Sequence, residues 1–246
     1  MEVLIRPDES VDDLQNGYSL IQKKDTFKFG VDAVLLADFA DVKNSDNVVE
    51  LGTGTGVVSI LTYAKKKPSA ITALEIQEEM ADMAARSVLL NGLQQFIEVK
   101  CIDLREAPGI LGKAGFDCVI TNPPYVKKDS GINNPQETKA ISRFEIMCTL
   151  EDVVQSSKEL LRTGGKLFMV HRTDRLADII YEMRIQGLEP KRIRFVHSSP
   201  SRRPHLLLIE GVRGGRPELK FMDPLYIYGE DGEYTEEIHR IYGRNK

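Results

Sequence analysis

The stretch Val48-Val49-Glu50-Leu51-Gly52-Thr53-Gly54-Thr55-Gly56 runs a short apolar segment into three alternating glycines, and a helical pattern, Val57 to Lys66, follows at once. A strand that turns directly into a helix needs residues without Cβ at the turn, where the backbone is tight and lies close to a ligand. The helix behind it presents unpaired N–H groups toward the turn. Such a unit opens a doubly wound parallel sheet and holds a nucleotide-like ligand, although taken alone it also serves as a plain structural turn. The spacing is G-x-G-x-G rather than the dinucleotide G-x-G-x-x-G, and no Gly-Lys-Ser/Thr follows, which disfavours a phosphate-gripping loop.

Short β-branched runs recur at Asn47 to Leu51, Ala70 to Glu75, Phe96 to Cys101, Asp117 to Thr121 and Lys166 to His171. Helical patterns lie between them, Glu78 to Asn91 stopping at Asn91-Gly92 and Leu150 to Leu161 at Gly164-Gly165. Strands spaced by helix-length segments imply parallel units with right-handed crossovers. Asp174 to Gln186 then reads as a helix, and Arg192 to His197 and His205 to Val212 as strands. The turn Ser198 to Pro204 is too short for a parallel crossover, so this last pair is expected antiparallel. Ahead of the core, Gly17 to Lys28 is expected as a small hairpin and Val31 to Phe39 as a helix with Asp32 near its start. The expected organisation is one domain, with a cover and cofactor-lid segment over 1–45, a core over 46–212 and an extension over 213–246.

A chain of 246 residues, 41% hydrophobic and 28% charged, can bury one sizeable core. No run approaches the roughly 18 apolar residues of a membrane span, and Met1 to Asp8 lacks a signal-peptide layout, so a soluble cytoplasmic protein is expected. Cys101, Cys118 and Cys148 sit in or beside apolar stretches and are expected as core thiols, and no metal requirement is expected; His171, His197 and His205 lack ligand spacing. The net charge of −4 argues weakly against nucleic acid. It conceals a basic segment, however, in which Lys191, Arg192, Arg194, Arg202, Arg203, Arg213 and Arg216 face the single acid Glu210.

Glu75 ends the second strand about 20 residues beyond the glycines, where a carboxylate can accept both hydroxyls of a ribose. Asp103, after the third strand, either accepts from an adenine amino group or caps a helix. Thr121-Asn122-Pro123-Pro124-Tyr125 follows the fourth strand. Two prolines fix that backbone and remove donors, leaving the Asn122 side-chain oxygen and the Pro123 carbonyl as acceptors for a planar amino group. An exocyclic amine is a poor nucleophile because its lone pair is delocalised into the ring. Accepting both of its hydrogens localises the pair and aims it at a methyl sulfonium, so positioning and electrostatics carry the step. Tyr125 is placed to stack on the base. Lys127 and Lys128 either meet flanking phosphates or belong to a solvated loop, and Arg202 and Arg203 in the late turn favour RNA contact. The loop Lys128 to Glu145 has little apolar periodicity and is expected to move until RNA binds.

In this order and spacing, the glycine turn, the strand-end acid and the Asn-Pro-Pro-Tyr loop resemble the class I S-adenosylmethionine-dependent methyltransferases that modify amino nitrogens. The resemblance implies a Rossmann-like α/β fold with a seven-stranded, mostly parallel sheet, an antiparallel C-terminal hairpin and a small N-terminal hairpin and helix. It implies that Gly52, Gly54, Gly56, Glu50, Glu75, Ile76, Asp103, Leu104 and Asn122 bind the cofactor, and that Asn122, Pro123, Pro124 and Tyr125 hold the target amine. More closely, Asp25 to Ala37, the Ser198 to Arg203 turn and Pro224 to Tyr242 are similar to the bacterial valine-tRNA adenine-37 N6-methyltransferases. That likeness implies a tRNA partner and puts Lys28, Gly30 and Asp32 near the methionine end of the cofactor, although Asp32 equally suits a first-turn helix acid.

Competing readings share parts of this pattern. Enzymes that methylate a glutamine of release factors carry the same loop behind a longer helical bundle, and guanine-N2 rRNA enzymes usually carry Phe at the position of Tyr125. DNA adenine methylation lacks an evident target-recognition domain here. An inactive RNA-binding protein of this fold would keep the basic hairpin without needing the complete acceptor loop. Oligomeric state is not legible.

Overall fold

A computed structural model describes residues 3–15, 17–24, 29–123 and 148–243. Strands β1 (Glu9–Gln15) and β2 (Tyr18–Lys23) pair antiparallel, with Gly17 at φ +82 in the turn. The hairpin thus starts earlier than the expected Gly17 to Lys28. Its first strand carries a buried carboxylate, Glu9, and an exposed Val11, so it shows no apolar alternation to read.

There follow α1 (Val31–Phe39), β3 (Asn47–Leu51), α2 (Val57–Lys66), β4 (Ala70–Glu75), α3 (Glu78–Leu90), β5 (Ile97–Cys101), α4 (Ala107–Leu111) and β6 (Phe116–Thr121). After them come α5 (Leu150–Leu160), β7 (Leu161–Arg172), α6 (Leu176–Ile185), β8 (Leu188–His197) and β9 (Pro204–Arg213). The chain closes with the two-residue strands β10 (Lys220–Phe221) and β11 (Leu225–Tyr226) and with α7 (Glu236–Ile241). Strand β7 starts directly from α5, ahead of the expected Lys166, with Leu161 already paired to Phe116.

The large sheet runs β5-β4-β3-β6-β7-β9-β8, and β10 and β11 add in parallel to the outer edge of β8. Strand β9 alone runs against its neighbours, so the expected seven-stranded sheet with its closing antiparallel hairpin is present, extended by the C-terminal segment. Alternate residues of the central strands feed two cores. Val48, Cys118, Ile120, Phe168 and Val170 pack with α1, α2 and α7, and Val49, Leu51, Val119, Leu167 and Met169 pack with α5 and α6. Burial on both faces is why these strands read as continuous apolar runs. Of the cysteines, Cys118 is buried as expected, but Cys101 is exposed because it ends the edge strand β5. Among the described residues no helix is long and apolar enough to cross a membrane.

The N-terminal hairpin is fastened to α3 by side chains that stand in for a neighbouring strand. Asn91 accepts from the Ser19 N–H at 2.8 Å and donates to its carbonyl at 2.7 Å, and Ser87 accepts from the Ile21 N–H at 3.0 Å. Arg86 holds the buried Glu9 with two bonds of 2.6 and 2.7 Å, and this guanidinium lowers the Glu9 carboxyl to about 2. Because that value lies below the ordinary 4.5, the stabilisation is complete above about pH 4.5 and is lost as pH falls toward 2. Arg86→Ala leaves the buried Glu9 carboxylate with only the Arg6 N–H at 2.8 Å and the Arg6 guanidinium at 3.9 Å, and the expected loss is about 3 kcal/mol, read from the urea midpoint at pH 7.

Candidate functional site

The carboxyl ends of β3, β4, β5 and β6 share one edge of the sheet. Strand β3 lies between β4 and β6, so the chain order reverses beside it, where open α/β sheets leave a crevice. A cavity of about 280 Å³ opens there. It is lined by Gly52 and Gly54 of the turn, by Glu50, Glu75, Ile76, Asp103, Leu104, Asn122 and Pro123, and from the N-terminal segment by Gly30 and Asp32. Gly56 does not line it; it sits behind as the N-cap of α2, facing Ala84 of α3.

The turn has the backbone that its glycines predict. Gly52 and Gly54 stand at φ +72 and +57, and a Cβ on either would enter open space rather than protein. These positions are therefore kept free for conformation and for close approach of a ligand, not for internal packing. Two buried carboxylates hold the turn. Glu75 accepts from the Gly54 N–H at 2.9 Å and from the Gln77 N–H at 3.0 Å. Glu50, 2% exposed, accepts from Thr53 at 2.7 Å and from the Ser59 hydroxyl of α2. Burial pushes the Glu50 carboxyl up to about 7. Thr53 and Ser59 are functional supports that the sequence reading missed; hydroxyls three and nine residues beyond an acid carry no distinctive pattern.

Asp103 is not the N-cap of α4, a position taken by Glu106. Its carboxylate accepts from the Arg105 N–H at 2.9 Å and from both sides of the Arg105 guanidinium, which holds it below the usual carboxylate range. Any ligand donor at Asp103 therefore uses lone pairs left over from Arg105. Asn122, one residue beyond β6, donates from Nδ2 to Asp32 Oδ2 at 3.1 Å, tying the acceptor loop to α1. Thr121 donates to the Leu51 carbonyl at 3.0 Å and joins the ends of β6 and β3.

Lys28, Pro124, Tyr125, Lys127, Lys128 and the loop Lys128 to Glu145 lie outside the described residues. Arg202 and Arg203 are exposed in the β8–β9 turn, at the same edge as the cavity but not lining it, and their side chains have no partner among the described residues. The rest of the basic segment is largely spent inside the protein. Arg192 pairs with Glu210 over the Phe39 ring, Arg194 holds Glu237 at 2.8 and 2.9 Å, and Arg213 donates to the Leu161 carbonyl.

Residues 28–184 match the family model of the methyltransferase small domain. A tRNA1(Val) (adenine(37)-N6)-methyltransferase of Flavobacteriaceae bacterium strain 3519-10 is 31% identical over 62% of this chain and 63% of its own, so under two thirds of that relative is matched. The enzyme of the same name from Bacteroides fragilis strain YCH46 is 28% identical over 92% of this chain and 94% of its own. A solved structure described as a predicted O-methyltransferase from Agrobacterium tumefaciens superposes with a TM-score of 0.68 at 25% identity, covering 86% of this chain and 96% of its own.

The Glu50 carboxyl gives the site a pH signature. Its folded value lies above the ordinary 4.5, so the cost of holding it ionised grows as pH rises from 4.5 and is complete above about 7. Glu50→Gln removes that cost, by about 3 kcal/mol at most. Its melting temperature is expected to exceed that of the unsubstituted protein by more at pH 8 than at pH 5, in thermal unfolding at both.

Proposed function

The chain belongs to the methyltransferase small domain family, and from that premise we propose that it transfers a methyl group from S-adenosylmethionine to the N6 amino group of an adenine in tRNA, adenine 37 of a valine tRNA. The observation that carries the reading is a single cavity shared by the open glycine turn, the strand-end Glu75 and the acceptor Asn122. The fit to the cofactor rests on this chain's own features: the space left where Cβ atoms at Gly52 and Gly54 would stand, and a buried acid on each side of the turn. Glu75 would hold the ribose, Asp103 the adenine, and Glu50, Gly30 and the turn the remainder. When bound, S-adenosylmethionine supplies an electrophilic methyl on a sulfonium.

The protein's part is to hold the amine. Asn122 Oδ1 and the Pro123 carbonyl take one N–H hydrogen each, which localises the nitrogen lone pair and fixes its direction. No base is needed before transfer, because the methylated, cationic amine is acidic enough to lose its proton afterwards. A hydroxyl has one hydrogen to give and would leave one of these acceptors unfilled, so the pair fits an amine better. Tyr125 stacks on the base, Lys127 and Lys128 meet neighbouring phosphates, and Arg202 and Arg203 contact the RNA backbone at the rim. The names of the relatives support tRNA as the substrate class, and a tRNA substrate goes with a cytoplasmic protein.

Labelled methyl should enter unmodified valine tRNA as N6-methyladenosine; label in N2-guanosine or in a release-factor glutamine would reassign the target. Asn122→Ala is expected to lower transfer on the order of 10²-fold or more while cofactor binding persists, and loss of both together would make the loop structural. Glu75→Ala should weaken cofactor binding above all. Replacing Arg202 and Arg203 by Ala should raise the apparent KM for RNA and flatten its salt dependence by about two phosphate contacts.

A further inference from the structure

We propose that Asp32 is a positioning residue for methyl transfer, which decides the end of the Asn122 amide that meets the substrate; this rests on the reading of Asn122 as the acceptor of the target amine. A primary amide has an acceptor oxygen and a donor nitrogen of nearly equal shape, exchanged by a half-turn of the side chain. In one orientation the amine meets an oxygen. In the other it meets N–H groups and is repelled. The backbone beyond β6 fixes where Asn122 begins but does not distinguish the two orientations.

Asp32 distinguishes them. The Asp32 carboxylate oxygen accepts from the Asn122 nitrogen at 3.1 Å, and the amide oxygen lies on the opposite side of the amide. The carboxylate is itself held, with Oδ1 accepting from the Ala33 N–H at 3.0 Å in the first turn of α1. Gly30 makes room for this arrangement. Its φ of −90 suits any residue, so its backbone does not call for glycine. A Cβ there, however, would stand 2.5 Å from Asp32 Oδ1, so the carboxylate would have to shift from the place it holds beside Asn122. Gly30, Asp32 and Asn122 all line the same cavity. The glycine and the acid of the Gly30-Val31-Asp32 segment thus form one device that presets the acceptor before substrate arrives.

The test compares Asp32→Ala, Gly30→Ala and the exchange of Asp32→Asn with Asn122→Asp, measuring kcat, KM for tRNA, cofactor affinity by calorimetry and melting temperature. Asp32→Ala is expected to lower kcat about 10- to 100-fold with KM and cofactor affinity nearly unchanged. Gly30→Ala, at a residue that also lines the cofactor's part of the cavity, should lower kcat to a similar extent at an unaltered melting temperature. In the exchange the donor sits on α1 and only acceptors stand at position 122, so kcat should recover above that of either Asp32→Ala or Asn122→Asp alone. A fall in cofactor affinity that matches the fall in rate would make Asp32 a cofactor ligand and overturn the inference, as would an Asp32→Ala enzyme at full kcat. Unsubstituted enzyme that leaves adenine N6 unmodified, or Asn122→Ala at full rate, overturns the underlying reading instead, and the inference with it.

Discussion

The turn after β3 is gripped from two sides by carboxylates removed from water, Glu50 below and Glu75 beside it. Without Glu75 the Gly54 N–H would lose its partner, and without Glu50 the Thr53 and Ser59 hydroxyls would be buried unpaired. Buried polar groups left in that state cost about 1–3 kcal/mol each, so the acids and the turn stabilise one another. The start of α2, the floor of the cavity and the spacing to β4 follow from this one arrangement. The two hydroxyl donors favour the ionised carboxylate and pull the Glu50 value down, but burial outweighs them and leaves it raised.

Around this centre, charge is used mostly for assembly. Glu9 and Arg86 lock the hairpin to α3, Arg194 and Glu237 bring α7 against β8, and Lys65 of α2 donates to Asp38 of α1 and to the Ile241 carbonyl at the end of α7. The basic stretch that stands out in the sequence is therefore a set of internal ties with an exposed turn in the middle. The exposed positive charge of this segment is thereby concentrated near the carboxyl edge of the sheet, where the cavity opens, and not along the whole hairpin.

How much of this could be read beforehand depended on whether a residue's role is carried by its own position or by a distant partner. The parallel sheet, the glycine turn, Glu75 at its strand end and the place of Asn122 and Pro123 just beyond the fourth strand were legible because strand periodicity and loop position specify them locally. The first hairpin was misplaced because Glu9, its inward residue, is a carboxylate whose burial makes sense only once Arg86, 77 residues away, is seen. Cys101 looked like a core thiol until β5 proved to be an edge. Asp103 was open between ligand acceptor and cap, and the structure shows Arg105 on both of its oxygens. Asp32 read equally as a helix acid; its bond to Asn122 spans 90 residues, which no local pattern reports.

The relative placement of donor turn and acceptor loop is set by backbone. Leu51 and Thr121 are register partners on adjacent parallel strands, so Gly52 and Asn122 leave the sheet side by side, about one strand spacing of 4.8 Å apart. Thr121 pins its strand end to the Leu51 carbonyl, and the Thr53 N–H pins the turn to the Leu74 carbonyl at 2.8 Å. A reaction that depends on alignment loses roughly 10²-fold for a displacement of about 1 Å, and a hydrogen-bonded ladder moves less than side-chain packing does. What the ladder does not specify is orientation within the acceptor loop, because a side-chain amide can turn over without moving the backbone. That remaining freedom has to be removed from outside the sheet, and α1 is the element that reaches Asn122 from there. The geometry of such a sheet thus fixes where the glycine turn and Asn122 stand, while the segment ahead of it governs which end of the Asn122 amide faces the cavity.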